Sequence, residues 1–355
     1  MQNRRSVQYW SPHSGASVGA SVENSEACGG AEVFCMDRSA TSPSALTGVV
    51  RGNGDAVFAT IVRCAAALIL LGLGGMVAVM AWGARGAFAT FGPAFIVDKA
   101  WNPVTQHFGA AAPVFGTLVT ALLAIALAVP LAFGIAVWLT EIASARIAGV
   151  IGTLIQLLAA VPSIIFGMWG FAVLVPFMAH YVEPFAGHTL GRVPGIGPLF
   201  RGAPYGTGFL TGGMILAVMI TPFISAVMRD VFLSMPAVLK ESAYGLGMTR
   251  WEVVRRIILP WSRTSVVGGI MLGLGRALGE TMAITFVIGN ANHIGWSLFS
   301  PGNTIASLIA LEFPESAMGS LKFSSLMAAG FLLMLISLGT LVCSRLLLRT
   351  RAAGR

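Results

Sequence analysis

Six stretches of this 355-residue chain are long and apolar enough to cross a lipid bilayer, and nothing else in the sequence restricts its fold as much. A spanning helix needs roughly 18 to 25 predominantly apolar residues. The windows run from Cys64 to Trp82, Pro113 to Leu139, Ile147 to Met178, Leu210 to Met228, Val266 to Ile288 and Phe323 to Leu341. Hydrocarbon offers no water to backbone N–H and C=O groups, so only helices or a closed barrel can traverse it. No window alternates with the period of a lipid-facing strand, so the expected fold is an all-α transmembrane bundle of six helices. The third window exceeds one crossing, and Pro162 and Pro176 are the places where it can tilt or break. Only 10% of residues are charged. A soluble domain carries about 25%, so a soluble globule is excluded.

Charge then orients the helices. One set of flanks collects Arg4, Arg5, Arg38, Arg51, Arg63, Arg146, the six basic residues from Arg229 to Arg263, and Arg345, Arg349, Arg351 and Arg355. The other set has Arg85, Lys99, Arg192, Arg201 and Lys322. The positive-inside rule therefore predicts that both termini and the 229–263 loop are cytoplasmic. The net charge of +8 reads as topology. No basic patch is interleaved with aromatic residues, so membrane lipid is the expected partner and nucleic acid is not. Cys28 and Cys35 lie in a polar tail and Cys64 and Cys343 near helix ends, which suits reduced thiols. No Cys or His pair has metal-ligand spacing, so no metal is expected.

Residues 1–55 are rich in Ser, Gly and Ala without apolar periodicity, and are expected to be a disordered cytoplasmic tail preceding the membrane region, 56–350. The tail lacks the charged start and apolar core of a secretory signal, and Met36 is a second candidate start. Its Gly15-Ala-Ser17-Val-Gly19 has nucleophile-elbow spacing but no flanking strand or helix, so it carries no catalytic reading. Segments 83–112 and 179–209 are too long and too rich in Gly and Pro for simple turns between helices. In the segment 290–322, Asn303 to Leu311 is too short to span and reads as an interfacial or re-entrant helix.

The loop 234–260 holds more structure than topology requires. Ser234 and Pro236 predict a helix start, and Gly245 and Gly247 its stop. Leu239, Ala243 and Leu246 share helical spacing, with Lys240 and Glu241 turned away. Thr249 and Glu252 form a Thr-x-x-Glu capping box for a second helix, whose Trp251, Val254 and Ile258 can face the bundle while Arg255 and Arg256 face water or headgroups. Positive-inside bias alone explains the arginines. It does not explain a helix, a glycine break and a second capped helix. The spacing Glu241-Ser-Ala243-x3-Gly247-x9-Ile257-x-Leu259-Pro260 resembles the EAA loop of ABC importer permeases, with Ser242 in place of the second Ala. That resemblance implies that Glu241, Ala243, Gly247, Ile257, Leu259 and Pro260 belong to a coupling helix docking on an ATPase.

The fifth window holds Arg276 and Glu280 inside an apolar run, four residues apart and thus expected on one helix face. An Arg at a helix centre costs about 2.5–3.5 kcal/mol on insertion scales, so such residues face a bundle interior or a wet path. Two readings stand. In one they form an intrahelical pair that aids packing. In the other Arg276 offers planar, bidentate donors to a passing oxyanion while Glu280 orients it. Gly275 and Gly279 leave room for a close helix neighbour. Their spacing is not a dinucleotide fingerprint, and the chain has no Gly-x4-Gly-Lys-Ser/Thr, so this chain is expected to bind no cofactor of its own.

Val161-Pro-Ser-Ile-Ile-Phe-Gly-Met-Trp-Gly170, Met228-Arg-Asp-Val-Phe232 and Gly275-Arg-Ala-Leu-Gly-Glu-Thr-Met-Ala-Ile-Thr-Phe-Val-Ile-Gly-Asn290 sharpen the resemblance. From about residue 57 onward the chain is similar to PstC-type permeases of phosphate-specific ABC importers. The resemblance implies a MetI-like six-helix bundle with a cytoplasmic coupling helix, in the bacterial inner membrane. It also implies a PstA-type sister permease, a PstB-type ATPase dimer carrying ATP and Mg, and an external phosphate-binding protein. Sulfate or molybdate is the nearest alternative cargo. An intramembrane enzyme has little support, since His13, His107, His180, His188 and His293 all lie in the tail or outer segments. A stand-alone channel leaves the coupling loop without purpose.

Overall fold

The computed structural model describes residues 53–195 and 197–352. Two units are distinguished, residues 1–63 and residues 64–355. Of the first, the described part is the opening of helix α1, where the Thr60 hydroxyl donates to the Ala56 carbonyl. The expected tail, with Cys28, Cys35, Met36 and the Gly15–Gly19 spacing, lies outside the described residues, apart from 53–55, which begin α1.

In chain order the elements are α1 (Asn53–Gly83), α2 (Arg85–Phe91), α3 (Ala94–Val97), the short antiparallel strands β1 (Trp101–Asn102) and β2 (His107–Phe108), α4 (Ala111–Val137) and α5 (Ala145–Ala159). Next come α6 (Ser163–Trp169), α7 (Val175–Phe177), α8 (Glu183–Thr189), α9 (Phe209–Leu233), α10 (Ala237–Gly245) and α11 (Arg250–Val253). The chain ends with α12 (Leu259–Gly279), α13 (Met282–Val287), α14 (Ile305–Glu312) and α15 (Leu321–Ala352). Among the described residues six helical stretches have the length and apolarity of spans: Gly54–Phe91, Ala111–Ile142, Ser163–Arg192, Phe209–Leu233, Arg250–Gly279 and Leu321–Leu346.

Helix α9 is the centre of the bundle. Two-thirds of its apolar window (67%) is buried, against 28% or less in the other spans. It packs on α4, α5 and α12. Its closest partner can approach because α4 presents the fully buried stripe Ala121, Ala124, Ala128, Ala132 and Ala136, at helical spacing. Small residues at such seams let backbones come close where no hydrophobic drive separates helix from lipid.

Three wide π turns precede prolines: Gly170–Leu174 before Pro176, Met178–Val182 before Pro184, and Val254–Ile258 before Pro260. A proline lacks the N–H for its own bond and its ring presses on the carbonyl four residues back. Widening the preceding turn accommodates both defects, so the helix continues. Pro176 therefore does not break the third span. The break falls at Ala160–Pro162, between α5 and α6, and the span runs on to Arg192, so much of the expected loop 179–209 is helical. The fifth window is corrected too. Its helix starts at Arg250 and ends at Gly279, and Glu280–Thr281 separate it from α13.

Segment 83–112 folds into a cap at the start of α4. Phe95, Trp101 and Phe108 are buried in it, with Phe88 and Phe91 packed alongside. The Ser324 hydroxyl pins this cap to α15, donating to the Gly83 carbonyl at 2.6 Å and accepting from the Ala87 N–H at 3.0 Å. Helix α14, the expected short helix, is enclosed: Ile305 and Leu308 are fully buried, and Thr304 and Ser307 form a capping box at its start.

Candidate functional site

Two neighbourhoods hold the residues singled out by the sequence. The first is α10 and the turn that follows. Its N-cap is Pro236, whereas Ser234 ends α9 and bonds back to the Val231 carbonyl, so the expected Ser234 cap is corrected. Gly247 adopts φ +81°, a left-handed stop that favours glycine. Thr249 and Glu252 make the expected capping box at the start of α11.

The faces of α10 differ from expectation. Ala243 is its buried residue, while Leu239 and Leu246 are exposed, at 42% and 80%. Lys240 turns inward. Its Nζ lies 2.7 Å from Oε1 of Glu141, whose side chain is only 5% exposed. The Tyr244 hydroxyl donates to the other oxygen of the same carboxylate at 3.0 Å. Burial first, then the bond to Glu141 and its charge, push the Tyr244 phenol above its ordinary range, so it stays protonated and remains a donor. Glu141 belongs to the π turn Trp138–Ile142 that ends the second span. The expected bundle face of α11 is corrected in part: Val254 and Ile258 are buried, but Trp251 is 59% exposed. Glu241, Arg255 and Arg256 are exposed; Ile257 and Leu259 pack against the core; and Pro260 follows the π turn.

The second neighbourhood is the end of α12. Arg276 is exposed and has no hydrogen bond or ion pair among the described residues. Glu280 lies past the last helical residue with extended backbone (φ −69°, ψ 126°), and its Oε1 accepts from the Ala283 N–H at 3.2 Å. It caps α13 instead of facing Arg276. The intrahelical pair is thus absent, because the helix ends one residue too soon. Around Arg276, Gly268, Gly275 and Gly279 face open space, while Gly269 and Gly273 press on Val227 and Ile224 of α9. Helix α12 therefore has one packed glycine face and one open one. The quoted motifs also meet: a Cβ at Gly167 would lie 2.9 Å from the Ala283 Cα and 2.8 Å from the Phe286 ring.

Sequence reasoning missed Glu141 and Tyr244. The available signal was an acid just past the end of the second apolar window, a place where a charge needs a partner.

Six membrane-length helices among the described residues, with a short exposed helix after the fourth and an exposed arginine near the end of the fifth, define a multi-pass membrane protein whose class its relatives supply. Residues 128–350 match the family described as the binding-protein-dependent transport system inner membrane component, and the chain belongs to that family. It is 50% identical over 294 residues to the "Phosphate transport system permease protein PstC" of Mesorhizobium japonicum, covering 83% of this chain and 90% of that one. The protein of the same description from Pasteurella multocida is also 50% identical, over 83% and 91%. Among solved structures, a bacterial alginate ABC transporter in complex with a pentasaccharide-bound periplasmic protein matches with TM-score 0.53 at 16% identity, over 81% of this chain and 92% of that one. Another alginate importer structure gives 0.51 at 17%, over 81% and 98%. These likenesses establish the fold of ABC transporter permeases.

Proposed function

We propose that this chain is one of two permease halves of an ABC importer that carries inorganic phosphate into the cytoplasm. ATP and Mg are handled by a separate PstB-type ATPase dimer, with a PstA-type sister permease and an external phosphate-binding protein completing the assembly. The observation that carries the reading is half-identity to permeases named for phosphate transport, along nine-tenths of their length. Exposed Glu241 and the Gly247 turn fit α10 as the coupling helix, which requires this loop and both termini to be cytoplasmic. Arg276, with its planar fork free, suits an oxyanion path between the halves. Glu280 serves that path indirectly, by holding α13 where it meets α12.

The test is labelled phosphate uptake in cells lacking other phosphate importers, with this chain expressed beside its cognate subunits. Uptake is expected to need the chain and to be indifferent to excess sulfate or molybdate. Uptake of labelled sulfate or molybdate without phosphate uptake would overturn the cargo.

A further inference from the structure

We infer that Glu141 is the anchor through which movement of α10 reaches the second span, making it a positioning residue for transport that lies outside the coupling loop. The inference rests on the proposed role of α10 in meeting an ATPase. Helix α10 has nine residues and one of them, Ala243, is buried, so side-chain packing alone ties it weakly to the bundle. Its polar ties converge on one carboxylate from a distant part of the chain. Lys240 takes Oε1 at 2.7 Å and Tyr244 takes Oε2 at 3.0 Å, so both oxygens are engaged by residues one helical turn apart. Two-point attachment fixes both the position and the roll of α10 against Glu141. A single contact would leave it free to pivot.

The other side of the anchor is equally placed for the task. Glu141 sits in the last turn of a helical stretch of 32 residues, Ala111–Ile142, which makes the most extensive helix contact in the molecule, with α9. A force on α10 is therefore delivered to the end of the stretch that lies along the centre of the bundle. With its side chain 5% exposed, Glu141 holds its charge away from water, and the ammonium of Lys240 is its ion-pair partner. Removing either partner strands a buried charge, which is why such pairs are costly to break singly. Glu241, the neighbour of Lys240, is exposed and so open to a soluble partner. The two acidic positions thus divide the work: Glu241 outward, Glu141 inward.

The experiment uses the assembled importer in proteoliposomes with its loaded binding protein, reading labelled phosphate uptake and ATP hydrolysis side by side. Glu141→Gln keeps the shape but removes the charge, and Lys240→Met removes the partner. Each is expected to lower phosphate moved per ATP hydrolysed by about tenfold at unchanged assembly. Tyr244→Phe, which deletes one bond, should lower it by about threefold. The exchange Glu141→Lys with Lys240→Glu should recover at least about half of the wild-type ratio. A merely structural contact would reduce uptake and hydrolysis together and leave their ratio fixed. An unchanged ratio in Glu141→Gln and Lys240→Met, or an exchange variant no better than the single ones, overturns the inference. Glu241→Lys run in parallel separates the two ideas: if it uncouples transport while Glu141→Gln does not, the anchor fails and the docking role of α10 stands.

Discussion

At the scale of single residues, Arg276 and Glu280 illustrate how far spacing carries. Four residues apart in an apolar run, they read as neighbours on one face. The helix instead ends at Gly279, and Glu280 turns its carboxylate to the Ala283 N–H. The two side chains therefore do separate jobs, and their effects on stability should add. A double-mutant cycle on the purified chain, with Arg276→Met and Glu280→Gln, should return an interaction energy within about 0.5 kcal/mol of zero. A coupling beyond about 1 kcal/mol would mean that the pair forms. Transport should respond differently, since Arg276→Lys keeps the charge but loses the planar fork, lowering uptake by about tenfold with membrane levels unchanged. Wild-type uptake by that variant would remove Arg276 from the path. The identity of Arg276 as an unusual membrane residue was legible in the sequence. The end of its helix was not, because Glu-Thr after Gly279 carries no proline to mark a stop.

Among the elements, α10 divides along the same line. Its stop and the following cap were legible because Gly247 and the Thr249–Glu252 box are local devices with fixed spacing. Which way it faces was not legible: in a nine-residue helix the stripe of Leu239, Ala243 and Leu246 competes with Lys240, and the contest is decided by Glu141, 99 residues earlier. Of the stripe only Ala243 is buried, while Leu239 and Leu246 are left exposed, as suits a helix that meets a partner. Two variants test that offer. A Cβ at Gly247 would meet nothing within 4 Å, but in Gly247→Val the residue at φ +81° is strained by about 1–3 kcal/mol, so the turn should shift. Glu241→Lys reverses an exposed charge and leaves the fold alone. Both should reach the membrane at wild-type levels and lose phosphate uptake, measured with labelled phosphate beside quantitative blotting. Normal uptake in either would contradict docking through α10.

The six spans were legible as apolar length, and six are found among the described residues, but the break at Ala160–Pro162 and the helix end at Gly279 do not fall where the apolar windows end. Whole-molecule organisation is clearest in the two glycine faces of α12. Gly269 and Gly273 exist for the chain's own interior, where a Cβ at Gly273 would lie 2.6 Å from the Ile224 Cδ1. A Cβ at Gly268, Gly275 or Gly279 would meet nothing within 4 Å, so no contact among the described residues explains them. A second permease half packed on that face would, and it would bring Arg276 to the seam between halves. Leucine at the two kinds of glycine should therefore fail in different ways. Gly273→Leu overpacks the interior and should destabilise the isolated chain by about 1–3 kcal/mol, read as a lower unfolding midpoint in detergent. Gly275→Leu should leave that midpoint unchanged or raise it slightly, since leucine is the better helix former by nearly 1 kcal/mol. Its defect should appear on assembly, as loss of co-purification with the sister permease and loss of phosphate uptake. If Gly275→Leu assembles and transports like the wild type, the open face of α12 is turned to lipid and the seam lies elsewhere on the molecule.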